Sequence, residues 1–270
     1  MMNSMLSPVV EANGARIPLI GLGTWDLRGK ACVRMVEEAL RLGYRHIDTA
    51  AMYGNEEEVG EGLRASGVER DDVFITTKVW SSNLRARDFE RSANDSLKNL
   101  DLPNVDLLLI HWPNSSVPLK ETIGALCKMK RDGVARHVGV SNFNPALIGE
   151  AVKLAAEPLV TNQIELHPYN DQAATIAASR KAGLSITAYT PIARGRVKGD
   201  ALLSRIGKAH GKTAAQVCLR YLVQQGIIVI PKTSRAERLK ENAAIFDFTL
   251  TPAEMKDIAG LARPNGNIVS

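Results

Sequence analysis

Four polar residues of complementary chemistry stand in comparable places along this chain: a carboxylate, Asp48; a phenol, Tyr53; an amine, Lys78; and an imidazole, His111. Each closes or follows a short apolar run. Asp48 comes after Tyr44-Arg45-His46-Ile47, with Tyr53 a little further on. Lys78 ends Val73-Phe74-Ile75-Thr76-Thr77, and His111 follows Val105-Asp106-Leu107-Leu108-Leu109-Ile110. A free phenol titrates at about 10 and is a poor acid at neutral pH. A neighbouring ammonium, Lys78, would lower that value by stabilising the phenolate. Asp48 would in turn keep Lys78 charged where burial favours loss of its proton. His111 can donate a hydrogen bond to a carbonyl oxygen and so stabilise charge developing there. The four describe a proton-transfer site, provided the fold brings them together.

The elements needed to do so are legible. Strand-like runs recur at Ile17–Leu22, Arg45–Asp48, Val73–Val79, Val105–Ile110, Ala135–Val140, Leu159–Gln163, Ser185–Tyr189 and Ile227–Ile230. Helical patterns alternate with them, for example Lys30–Leu42, Glu56–Ala65, Arg87–Leu100 and Leu119–Arg131. This alternation predicts an α/β fold, a single (β/α)8 TIM barrel over residues 1–270. In such a barrel the carboxyl ends of the strands carry the chemistry, which is where the four residues fall. Two features lie outside the repeat. Val9–Glu11 and Arg16–Pro18 flank an Asn13-Gly14 turn and read as an N-terminal β-hairpin plugging the barrel bottom. Two additional helices, about Ala201–Ala209 and Thr213–Gln225, separate strands seven and eight. Thr251-Pro252-Ala253-Glu254 has the spacing of a capping box with proline at the first helical position. A doubly wound nucleotide fold is excluded at its fingerprint, since Gly21-Leu22-Gly23-Thr24-Trp25-Asp26 lacks the third glycine.

Composition narrows the class of protein. Hydrophobic content of 45% with 23% charged residues is that of a folded domain. No apolar stretch approaches the roughly 20 residues that span a bilayer, and Met1–Pro8 does not read as a signal peptide. Cys32, Cys127 and Cys218 match no disulfide framework or metal spacing and read as buried small hydrophobes in a reducing cytoplasm. From Arg194 to Lys240 there are eleven Lys or Arg against two acids. Without a nucleic-acid-binding module or a basic–aromatic stripe, this suits a small polyanionic ligand better than nucleic acid.

The chain closely resembles the aldo-keto reductases along its whole length, most of all the short bacterial 2,5-diketo-D-gluconate and methylglyoxal reductases. The resemblance is carried by Gly21-Leu22-Gly23-Thr24-Trp25, by Gly43-Tyr44-Arg45-His46-Ile47-Asp48-Thr49-Ala50 with Tyr53-Gly54-Asn55-Glu56, and by Thr77-Lys78-Val79-Trp80. It continues through Asp106–Pro113, Gly139-Val140-Ser141-Asn142-Phe143, Asn162-Gln163-Ile164-Glu165 and Ile230-Pro231-Lys232-Thr233-Ser234 with Arg238, Glu241 and Asn242. It implies that Asp48, Tyr53, Lys78 and His111 are a catalytic tetrad and that NADPH/NADP+ lies across the barrel mouth. Ser141, Asn142 and Gln163 then match the ligands of the nicotinamide carboxamide, and Tyr189 the aromatic that stacks on the ring. Thr24, Trp25 and Asp48 match positions beside the nicotinamide half, and Pro191 and Ile192 begin the loop after strand seven. A monomer is the family default.

A physical argument supports the phosphate end. Lys232-Thr233-Ser234 leads into a helix carrying Arg238, so helix amides and two cations face one place. Arg238 can grip a phosphate through paired hydrogen bonds. No acid for gripping a free ribose 2′-hydroxyl precedes Glu237 in this segment, which favours NADPH over NADH. Only 13 residues are Phe, Trp or Tyr, yet Trp25, Trp80 and Trp112 all sit beside the motifs. They read, with His111, as the wall of a substrate pocket that excludes water. The short segment Pro191–Gly199 and the short tail suggest an open mouth for small or sugar-derived carbonyls, with Arg194, Arg196 and Lys198 placed to attract a carboxylated one. The rival readings are a cofactor-binding regulatory subunit without turnover and a phosphate-binding barrel isomerase.

Overall fold

Asn13 and Gly14 both adopt positive φ, 46° and 85°, the geometry of a two-residue turn that matches the twist of paired strands. They fold β1 (Val9–Ala12) onto β2 (Ala15–Pro18), in antiparallel register from Val9 opposite Pro18 to Ala12 opposite Ala15. This hairpin opens a computed structural model that describes residues 8–269. The first seven residues, on which most of the signal-peptide expectation rests, lie outside the described residues.

Eight parallel strands follow in one sheet: β3 (Leu22–Gly23), β4 (His46–Asp48), β5 (Phe74–Val79), β6 (Val105–Ile110), β7 (Ala135–Ser141), β8 (Leu159–Glu165), β9 (Ser185–Tyr189) and β10 (Ile228–Val229). Each pairs with its neighbour in sequence. The edges meet through a parallel bridge between Ile20 and Val229, with Gly21 N–H donating to the Val229 carbonyl and Val229 N–H to the Leu19 carbonyl, both at 2.9 Å. Gly23 also donates to the Pro231 carbonyl at 3.3 Å. Glycine is required there, because a β-carbon on residue 23 would stand 2.6 Å from the Ile230 carbonyl oxygen. The helices are α1 (Gly29–Arg41), α2 (Glu56–Ser66), α3 (Ala86–Leu100), α4 (Leu119–Arg131), α5 (Pro145–Leu154), α6 (Ala173–Lys181), α7 (Ala201–His210), α8 (Ala214–Val223), α9 (Ala236–Ala243) and α10 (Pro252–Ala259). The pair α7 and α8 falls between β9 and β10, as the sequence reading expects. The Thr251–Glu254 box caps α10: Glu254 N–H donates to Thr251 Oγ1 at 3.2 Å and Thr251 N–H to the Glu254 carboxylate at 2.7 Å. Among the described residues no helix is long and apolar enough to cross a membrane.

One strand differs from the expectation. The run Ile17–Leu22 is two elements: Ile17 and Pro18 end the hairpin, whereas Leu22 begins the barrel. The chain changes partner at Leu19, whose N–H still donates to the Pro8 carbonyl at 2.8 Å while its carbonyl accepts from Val229 N–H at 2.9 Å.

Alternation along the strands explains the layering. Ile47, Ile75, Leu108 and Ile110 point outward into the core beneath the helices. Their neighbours Phe74, Leu107 and Leu109 join Val160, Ile228 and the hairpin residues Ala15 and Ile17 in a separate cluster inside the barrel. The hairpin therefore closes the amino-terminal end of the barrel. Moving up the interior, side chains become polar: Thr161 and Thr187 hydrogen-bond at 3.1 Å, and His46 Nε2 lies 3.2 Å from Thr76 Oγ1. Asp48, Lys78 and Gln163 continue the same inward faces at the carboxyl end, because residues two apart on a strand point the same way.

Candidate active site

The ammonium of Lys78 stands at the centre of this upper layer, fully buried. Its three N–H groups have three acceptors: Asp48 Oδ1 at 2.5 Å, the Thr49 carbonyl at 2.8 Å and Tyr53 Oη at 3.3 Å. An ammonium has three protons to donate, so none is left over. The second oxygen of Asp48 accepts from Gln163 Nε2 at 2.7 Å, which ties β4 to β8 across the barrel. Tyr53 ends a short 3-10 turn, Ala51–Tyr53, closed by Gly54 at φ 61°. The turn is held from below by Asn55, which accepts from Thr49 Oγ1 at 2.9 Å and donates to the carbonyls of Thr24 and Leu27 at 2.8 and 3.0 Å. Among the described residues, the Tyr53 hydroxyl donates its own proton to no protein group.

Electrostatics assigns a protonation state to each member. Burial works against the charge on Lys78, but Asp48 and then Tyr53 outweigh it and hold the ammonium above the ordinary lysine range. Burial raises the Tyr53 phenol above its ordinary value; Lys78 pulls it down, and Asp48 pushes it up again. The expectation of a net lowered phenol is thereby corrected. Desolvation exceeds the effect of the ammonium, so Tyr53 is held as a fully protonated donor, and Lys78 limits the rise instead of reversing it. Burial, with the charge of Lys78, depresses His111 to about 2 and leaves it a neutral imidazole. Neither of its ring nitrogens has a protein hydrogen-bond partner among the described residues, and Nδ1 is buried.

The ring of His111 packs edge-on against Tyr53, with centroids 5.5 Å apart, and against Trp80 at 5.0 Å. Trp25 meets the other side of Tyr53 at 5.0 Å and is 43% exposed. Three of the four predicted wall residues are thus joined around the phenol. Trp112 is half-buried and stands outside this chain of ring contacts.

On the opposite rim, Ser141 Oγ donates to the Gln163 carbonyl at 2.8 Å. Asn142 Nδ2 donates to the His111 carbonyl at 2.9 Å and to Ser141 Oγ at 3.0 Å, and Tyr189 donates from its hydroxyl to Asn142 Oδ1 at 2.8 Å. Asn142 takes φ 63° to reach all of them. Asparagine is among the few side chains that tolerate this left-handed conformation. Pro191 and Ile192 follow: the Pro191 carbonyl accepts from Cys218 Sγ at 2.9 Å, and Ile192 is partly buried.

The sequence profile of the Aldo/keto reductase family matches residues 19–263. The chain belongs to this family. A methylglyoxal reductase of Escherichia coli O157:H7 is 40% identical over 248 residues, covering 91% of this chain and 93% of that protein. A glyoxal reductase of Bacillus subtilis (strain 168) is 38% identical, covering 97% of this chain and 95% of its own. Among solved structures, a putative 2,5-diketo-D-gluconic acid reductase B superposes with a TM-score of 0.96 at 51% identity, over 99% of this chain and 95% of that one. A Bombyx mori aldo-keto reductase in complex with NADP superposes with a TM-score of 0.92 at 32% identity, over 98% of this chain and 96% of that one.

In this aldo-keto reductase the predicted phosphate end lies where β10 leads to α9. Thr233 Oγ1 accepts the Arg235 N–H at 3.1 Å, forming the entry turn, and the helix has no side-chain cap on its first amides. Ser234 is exposed, Arg238 is partly exposed and Asn242 is buried. Glu241 is engaged elsewhere, accepting from Thr213 Oγ1 at 2.7 Å. Lys232 lies 3.8 Å from Asp26 of the β3–α1 loop, an acid that a reading of the local segment alone could not place there. Sequence reasoning also assigned no role to Thr49, Asn55 or Glu56. Glu56 is buried and accepts from the hydroxyl of Thr77, the residue before Lys78 on β5, at 2.5 Å. The motif Tyr53-Gly54-Asn55-Glu56 was the available signal for Asn55 and Glu56.

Proposed function

We propose that this protein reduces small aldehydes and ketones to alcohols with NADPH, and that Tyr53 delivers the proton to the carbonyl oxygen. The observation that carries the reading is the buried chain from Asp48 through Lys78 to Tyr53, with a phenol proton that no protein group among the described residues takes. The residues present suit the cofactor. Gln163 Oε1 has no partner among the described residues and can accept from a carboxamide; Ser141 and Asn142 adjoin it. Tyr189, its phenol pushed up by burial and by nearby Glu165, offers a neutral face for a ring. Lys232, Arg238 and the first amides of α9 suit a 2′-phosphate. When bound, NADPH supplies the hydride.

The remaining work belongs to the chain. His111, neutral and with ring nitrogens that meet no hydrogen-bond partner among the described residues, orients the carbonyl oxygen by donating from one of them. Tyr53 holds its proton until negative charge forms on that oxygen, then releases it as Lys78 stabilises the phenolate. Asp48 keeps the ammonium charged, and Trp25 and Trp80 keep water from the reacting carbon. Methylglyoxal and sugar-derived keto compounds such as 2,5-diketo-D-gluconate are the substrates we favour, given what the similar proteins are named for. We also propose a single barrel domain acting as a monomer in the cytoplasm, where three buried free cysteines would stay reduced.

The test is NADPH oxidation with methylglyoxal, diketo sugar acids, aromatic aldehydes and keto esters. Tyr53→Phe should lower the chemical step by roughly 10²-fold or more while NADPH binding, followed by fluorescence, stays within roughly 2-fold. Unchanged turnover would remove the assignment, and no turnover of any carbonyl by the unmodified protein would favour the regulatory-subunit reading.

A further inference from the structure

Glu165 is a buried carboxylate that the chemistry above does not use. It ends β8 two residues after Gln163, so it shares the inward face on which Gln163 reaches Asp48. Its carboxylate accepts three hydrogen bonds: from His167 Nε2 at 3.0 Å, from Ile268 N–H at 2.6 Å and from Val269 N–H at 2.9 Å. Burial alone would raise its pKa, but these donors, His167 first, hold the carboxyl below the ordinary glutamate value. Two of the three come from backbone more than 100 residues away in sequence.

The rest of the tail follows the same rim. Arg263 N–H donates to the Tyr169 carbonyl at 3.0 Å, and Asp171 N–H to the Arg263 carbonyl at 3.1 Å. Gly266 approaches so closely that a β-carbon would overlap the Tyr169 carbonyl oxygen. Ile268 packs in the apolar cluster that also takes Tyr169 and Ile192. The tail therefore crosses the carboxyl ends of β8 and β9, at the mouth of the barrel.

We propose that Glu165 is a positioning residue, whose carboxylate latches the C-terminal tail through the amides of Ile268 and Val269 and so sets the wall against which the carbonyl substrate is held. The inference rests on the carbonyl-reductase reading. Ser141, Asn142, Gln163 and Tyr189 are fixed by bonds among themselves and to the barrel, so releasing the tail leaves these four nicotinamide-side residues in place. The loss then falls on substrate binding and not on the chemical step.

Two variants test this. Glu165→Gln turns an amide N–H toward the tail, and Val269→Pro deletes one donor while leaving the barrel untouched; if the first fails to fold, the second decides. In both, hydrogen–deuterium exchange in the segment 264–269 should quicken by roughly 10-fold or more, as expected for loss of a charged hydrogen bond. KM for methylglyoxal should rise by roughly 5-fold or more, with kcat and the NADPH Kd within roughly 2-fold. Exchange equal to that of the unmodified protein overturns the latch, as does faster exchange with an unchanged KM. If the unmodified protein reduces no carbonyl, the functional reading fails instead, and the exchange result tells the two failures apart.

Discussion

Replacing Lys78 with methionine keeps most of the apolar stem of the side chain and removes the ammonium, its charge together with its three N–H donors. The ammonium nitrogen lies 3.3 Å from Tyr53 Oη. At an effective dielectric of about 20, two unit charges at that separation attract by about 5 kcal/mol. If about half of a negative charge has formed on the phenol oxygen at the transition state, the loss is about 2.5 kcal/mol; with full charge it is about 5 kcal/mol. The single-turnover rate of NADPH oxidation with saturating methylglyoxal should therefore fall between roughly 70-fold and roughly 5,000-fold. Lys78→Met also strands the buried Asp48 carboxylate, which removal of one partner typically destabilises by about 3–5 kcal/mol. The double variant Asp48→Asn/Lys78→Met relieves that penalty, so it should regain thermal stability without regaining rate. A fall of less than roughly 10-fold in the single variant, or recovery of rate in the double one, would refute the ammonium's role.

Arg238→Ala should raise the KM for NADPH by roughly 10-fold to roughly 150-fold, the range of a lost charge-assisted hydrogen bond, and leave that for NADH nearly unchanged; equal effects would move the 2′-phosphate elsewhere. The pH profile of reduction should show no His111 inflection near neutrality, because burial depresses that imidazole to about 2 and it is neutral throughout the working range. Activity should instead decline only as pH rises into the elevated phenol range of Tyr53, and a His111-dependent step between about pH 6 and 7 would contradict this. The same burial makes His111 a liability in acid: the unfolded chain takes up its proton below about 6.5, so this contribution to stability is lost progressively as pH falls from there toward its folded value. Gly23→Ala places a methyl 2.6 Å from the Ile230 carbonyl oxygen at the closure of the barrel. It should cost about 1–3 kcal/mol, visible as a lowered Tm.

Much of this arrangement was legible in the residues. Asp48, Lys78 and His111 could be placed at one rim because each closes or follows an apolar run long enough to be a strand, and strands in a barrel share a direction. The first strand was not legible, since Ile17 to Leu22 reads as one apolar run and only pairing shows that it divides at Leu19. The direction of the Tyr53 shift also lay beyond the sequence, which names the neighbouring charge but not the depth of burial. Glu165 appeared only as part of a motif. Its partners, Ile268 and Val269, are backbone amides, and a backbone amide has no residue type to give it away. Asp26 beside Lys232 is hidden for a related reason, because the two meet only through closure of the sheet.

The saturation of Lys78 has a consequence for when its charge is put in place. All three of its protons are committed to groups supplied by β4 and the turn after it, and no part of it meets solvent. Its orientation is therefore settled as the polypeptide assembles, before any substrate arrives, and nothing need swing or shed water when the reaction begins. An amine so enclosed should ignore acylating reagents that label surface lysines, and it becomes reachable only when the barrel itself comes apart.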